Sequence, residues 1–125
     1  MTNPFRVVLI DHDGAASIEV WDVPDLRSIK QLGETVGGEH GSIECVNLRP
    51  ALDMWVGGMS KLEHPEPNPV ATAIARSTGL WQDYYGPAVL VGVNEATGAT
   101  LPLSETLAAW YMRQIRAARR GLGLD

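Results

Sequence analysis

The 125-residue sequence predicts a single α+β domain built on a mixed sheet of about five strands. Three observations lead there. Short runs alternate apolar and polar residues with the period of two that a half-buried strand shows. Longer segments repeat apolar residues at the three- and four-residue spacing of an amphipathic helix. One run, residues 87–93, is apolar on both faces, the mark of a strand inside a sheet. In chain order the elements read β-β-α-β-β-α-β-α.

Phe5 to Ile10 is apolar and rich in β-branched residues, and Asp13-Gly14 after it is a hairpin turn signal. Ser17 to Asp22 then alternates, with Ile18 and Val20 on one face and Glu19 and Trp21 on the other. A hairpin over 5–22 follows. Pro24-Asp25 opens a helix carried by Leu26, Ile29, Leu32 and Val36, and Gly37-Gly38 closes it. A second hairpin spans 42–56, with Ile43 and Cys45 on one face and Glu44 and Val46 on the other.

The stretch 63–69 holds three prolines, which lack the N–H a helix or inner strand requires, so it is an extended loop. Asn68 followed by Pro69 reads as N-cap and first turn of a helix ending near Ser77. Thr78 to Gly86 is an aromatic-rich loop. Ser104 caps a final helix over about 105–120, with Leu107, Tyr111, Ile115, Ala118 and Leu122 in one stripe. Arg113, Arg116 and Arg120 fall on the opposite side, and Trp110 and Met112 on the flanks.

Composition excludes several classes. At 45% apolar residues the chain is neither disordered nor membranous. No window reaches the roughly 18 to 20 apolar residues a spanning helix needs. The first residues lack a basic segment followed by an apolar one, so no signal peptide is expected. The single cysteine excludes an internal disulfide and fits a reducing cytoplasm. Residues 1–112 hold six basic and fourteen acidic side chains, a net of −8, and residues 113–125 hold four Arg and one Asp, a net of +3. That acidic body opposes nucleic acid, although the Arg113, Arg116 and Arg120 face has the right chemistry for phosphate.

The candidate chemistry is sparse. Asp11-His12-Asp13 resembles an acid/base cluster, but Asp and Gly populate turns readily. Cys45 reads as a buried, inert thiol. His40 and His64 each follow a Glu without ligand spacing, and only folding brings either to His12. The glycine-rich 37–41 segment follows a helix rather than leading into one, so it is not a phosphate cradle. No catalytic residue, metal site or cofactor is assigned. The aromatics stand out, because Trp and Tyr concentrate at binding hot spots. Trp81, Tyr84, Tyr85, Trp110 and Met112 are the candidate partner contacts.

Four segments carry a family resemblance. Gly41-Ser42-Ile43-Glu44-Cys45-Val46 resembles a Gly-x-Ile-Glu-x-Val strand. Lys61-Leu62, Asn68-Pro69-Val70-Ala71-Thr72 and Gly86-Pro87-Ala88-Val89-Leu90-Val91-Gly92 resemble the Lys-Leu, Asn-x-x-Ala-Thr and Gly-Pro-x-x-x-x-Gly stretches of the same small family. It is catalogued only as a domain of unknown function and found mostly in phages and mobile elements. The resemblance covers about residues 5–103 and leaves the last helix outside. Val56-Gly57-Gly58-Met59-Ser60 stands where the family carries an acidic turn. What the resemblance implies is origin, a phage accessory protein acting inside a bacterial host; it does not imply an activity. The expectation is a non-catalytic, cytoplasmic protein that binds a host protein, or itself as a homodimer, through the aromatic loop and last helix. The alternatives are a small-ligand or nucleotide-signal binder countering host defence, which requires a pocket with convergent polar groups, and a nucleic-acid-directed protein using the Arg-rich last helix.

Overall fold

The computed structural model describes residues 3–23 and 29–124. Strands β1 (Asn3–Ile10) and β2 (Ala16–Val23) form the first hairpin, and β3 (Ile43–Arg49) and β4 (Leu52–Gly57) the second. Between the hairpins lies β5 (Ala88–Val93), giving the order β2-β1-β5-β4-β3. A two-residue strand, β6 (Thr100–Leu101), pairs with the end of β5. The fold is α+β, with helices α1 (Ile29–Val36), α2 (Ser60–Glu63), α3 (Pro69–Ser77) and α4 (Glu105–Gly121). The expected start of α1 at Pro24-Asp25, with Leu26, lies outside the described residues.

Among the described residues every strand pairing is antiparallel, which corrects the expectation of a mixed sheet. The reason is the path from β4 to β5. A lone crossover helix would deliver β5 parallel to β4. Here α3 runs out and residues 78–87 run back along it. The Asn68 N–H donates to the Tyr84 carbonyl at 2.7 Å, and Pro67 pairs with Tyr85 in an antiparallel bridge. The chain therefore returns to the end of the sheet it left.

β5 is central, and Ala88, Val89, Leu90 and Val91 have no exposed surface. Its two faces feed two cores. Leu90 joins Val8, Ile10 and Met54 under α3 and α4. Val89 and Val91 join Phe5, Val7, Leu32 and Val36 under α1. Burying a side chain such as Leu90 contributes about 1.5–3 kcal/mol.

α4 docks on a different face from the expected stripe. Ala108 and Ile115 are buried, and Tyr111 and Met112 pack half-buried on the same core. Leu107 and Leu122, by contrast, are each 47% exposed. The buried line is turned by about 50° at 100° per residue. Ala71, Ala75 and Ala108 are all fully buried in one cluster, and such small side chains let α3 and α4 approach closely. Close approach decides the rotation, so a short Ala outranks the larger Leu107 and Trp110.

Cys45 is also corrected. It lies exposed on the edge strand β3 rather than buried. Its thiol is pushed from the ordinary 9.0 up to about 12 by partial burial, then by its hydrogen bond to the Asp53 carboxylate and by that group's charge. Alkylation by iodoacetamide should therefore keep rising about tenfold per pH unit from 8 to 10.5, where an unperturbed thiol levels off. Asp53→Asn should bring the levelling to lower pH, and a plateau near pH 9 in the unsubstituted protein would contradict the assignment.

Candidate functional site

The site forms at the end of the sheet where β1 leaves and β5 begins. Its first wall is the turn after β1. The Asp11 carboxylate accepts from the His12 N–H at 2.8 Å, and the Asp13 carboxylate from the Ala15 N–H at 3.0 Å. The hairpin-turn reading of these residues is what the structure shows. Gly14 completes the turn at φ +93°, and a Cβ there would lie 2.8 Å from Val70 and 3.3 Å from Leu124. Only glycine meets both demands.

The second wall is the proline loop. Asn68 anchors it and is fully buried. Its Oδ1 accepts from the Ala71 N–H at 3.0 Å, capping α3 as the sequence predicts. Its Nδ2 donates to the carbonyls of Asp11 at 2.8 Å and Gly86 at 2.9 Å. One amide thus ties the hairpin turn, α3 and the start of β5 together. Held this way, His12 and His64 lie with ring centroids 5.4 Å apart and planes 30° from parallel.

α3 supplies the floor through Thr72, Ala73 and Arg76, and the end of α4 closes the far side with Leu122 and Leu124. The cleft between them is open to solvent and measures about 1100 Å³. Most of its polar groups are engaged. The Thr72 hydroxyl donates to the Tyr84 carbonyl at 3.3 Å, its oxygen also accepts from the Tyr84 N–H at 3.0 Å, and Arg76 pairs with Asp83 at 2.9 Å.

The predicted contact residues separate. Trp81 is 78% exposed, two residues before Asp83 of the cleft. Tyr84 is corrected: strapped to α3 by its own backbone, it turns its ring into the core, where burial and then the Glu44 charge hold its phenol above the usual value. Tyr85 is half-buried against the proline loop. Met112 is corrected likewise, since it packs against the core. Trp110 is exposed, edge-on to Tyr111 at 5.0 Å, in a smaller groove of about 380 Å³ beside Arg49, Pro50 and Ala51. Trp110 and Leu122 are about 18 Å apart along α4, so the two hollows are distinct. Arg113, Arg116 and Arg120 are exposed.

The glycine-rich 37–41 segment is occupied by the chain itself. The Glu39 N–H donates to the Glu63 carboxylate at 2.7 Å, and a Cβ on Gly38 would collide with that carboxylate. Among the described residues no three His, Cys, Asp or Glu side chains are grouped to hold a metal ion, and no helix is long and apolar enough to cross a membrane. Sequence reading did not single out Arg76, Glu66 or Asp83, and it placed Thr72 only within the Asn-x-x-Ala-Thr motif. The spacing of Pro69, Thr72, Ala73 and Arg76 along one helix face was the available signal.

The architecture is a small α+β domain with an antiparallel sheet, helices on both faces and an open cleft of mixed lining at one sheet end. The chain belongs to the family described as Domain of unknown function (DUF3846), whose model matches residues 5–116. That match extends past the quoted motifs into α4. No curated protein and no solved structure matches it significantly.

Proposed function

We propose that this chain is a non-catalytic binding module that captures a segment of a protein partner in the cleft between the β1–β2 turn, the proline loop, α3 and the end of α4. The observation that carries this reading is the convergence itself. The two elements the sequence nominates, the aromatic loop and the last helix, meet there through Asp83, Leu122 and Leu124. The exposed Leu122, Leu124 and Trp81 supply apolar contact area of the kind that marks interaction sites. The local hydrogen bonds made by Asp11, Asp13, Thr72 and Arg76 fit a structural use of those side chains. The resemblance to phage and mobile-element proteins supports an accessory role in a bacterial cytoplasm.

A small-ligand reading draws on the same cleft, whose size and mixed lining also suit a drug-sized molecule. One experiment separates the two. Ala73→Arg fills the cleft floor, and Trp81→Ala removes the exposed ring. On the protein-binding reading both variants lose more than tenfold in capture of the partner from host lysate, while the unfolding midpoint moves by only a few degrees. Trp110→Ala, in the other groove, retains capture. A small molecule released on denaturing the purified wild type but not Ala73→Arg would favour the ligand reading. Unchanged capture by Ala73→Arg and Trp81→Ala would overturn the protein-binding one.

A further inference from the structure

We infer that the cleft receives an arginine side chain of the partner, its guanidinium held between carboxylates and imidazole faces and its stem along the apolar rim. This rests on the reading of the cleft as a protein-binding site and adds the chemistry of what enters it. The first observation is charge. Three carboxylates, Asp13, Glu66 and Asp83, line the cleft against one cation, Arg76. Arg76 is taken by Asp83 at 2.9 Å. Asp13 and Glu66 are in no ion pair among the described residues; the Arg119 guanidinium also stands beside the Gly14 wall, donating to the Leu124 carbonyl at 3.2 Å, so three carboxylates face two guanidinium groups and the balance stays negative.

The second observation is shape and surface. His12 and His64 present adjacent rings 5.4 Å between centroids, and a planar guanidinium stacks on such faces as an ammonium does not. Pro65, Pro67, Leu122 and Leu124 supply the apolar rim that the methylenes of a long basic side chain cover while the charged head stays polar. An anionic occupant finds no free cation on the walls named, because Arg76 and Arg119 are engaged. The third observation is the field of the whole chain. The whole chain carries a net of −5, the −8 of residues 1–112 offset in part by the +3 of residues 113–125 that hold Leu122 and Leu124, and that negative balance favours basic partners over acidic ones.

The test uses the full chain and three capped pentapeptides, Gly-Leu-X-Leu-Gly, with arginine, citrulline or glutamate at X. Binding is followed by amide chemical shifts of Asp13, Thr72 and Ala73. The arginine peptide should bind at least tenfold more tightly than the glutamate peptide and more tightly than the uncharged citrulline one, with affinity falling as salt rises. Glu66→Gln and Asp13→Asn should each weaken it about threefold, the scale of an exposed charge pair, without changing the unfolding midpoint. The amide of Asp13→Asn keeps the oxygen that accepts the Ala15 N–H, so folding is not at issue. Equal or tighter binding of the citrulline or glutamate peptide at the same amides would overturn the arginine inference and leave the protein-binding reading standing. No shift at those amides with any of the three peptides would overturn both.

Discussion

Replacing Asn68 with Ala should lower the unfolding free energy by about 3 kcal/mol, the sum of a lost helix cap and of buried carbonyls left without donors. The side chain has no exposed surface, and its amide serves α3, the β1–β2 turn and the start of β5 at once. Chemical denaturation of the two proteins measures the difference. Asn68→Asp separates the roles. It keeps the oxygen that caps α3 but sets a carboxylate against the Asp11 and Gly86 carbonyl oxygens. Burial and those oxygens raise the folded pKa of the new carboxyl above its unfolded value. Its stabilising contribution is then full below the unfolded pKa and lost as pH rises through the folded one. The Asn68→Asp variant should therefore gain stability relative to the Asn68→Ala variant as the pH falls from 7 toward 4. A cost below about 1 kcal/mol for Asn68→Ala would reduce Asn68 to an ordinary cap. The cleft depends on the same amide, so both variants should also broaden the His12 and His64 ring resonances.

Ile115→Ala should cost about 3 kcal/mol, within the range for truncating a buried aliphatic side chain, whereas Leu107→Ala and Leu122→Ala should each cost less than about 1 kcal/mol. All three residues belong to the apolar stripe of α4 read at 100° per residue. Ile115 is 1% exposed, while Leu107 and Leu122 are each 47% exposed. Equal losses at the three positions would restore the simple stripe and refute the rotated docking. Leu122→Ala has a second expected consequence, weaker partner capture, because that side chain lines the cleft.

Much of the local structure was legible in the residues alone, because it follows from local sterics and periodicity. The alternation in 17–22 and 43–48 determines two strands, and Asn68-Pro69 determines where α3 starts, since a side-chain acceptor and a missing N–H suit that one position. The two-faced apolar run 88–93 determines a central strand because neither face can meet water. Long-range contacts decided the rest. His12 and His64 are separated by 51 intervening residues, and their meeting depends on the Asn68 amide reaching the Asp11 carbonyl. The rotation of α4 depends on how closely Ala108 lets it approach the core, a property of the partner surface that no single-helix pattern contains. Tyr84 belongs to the core because its backbone is tied to Thr72 and Asn68, so the ring has one direction to take. The antiparallel arrival of β5 is settled by the return of residues 78–87 along α3, where backbone hydrogen bonds between distant segments, rather than propensity, choose the path.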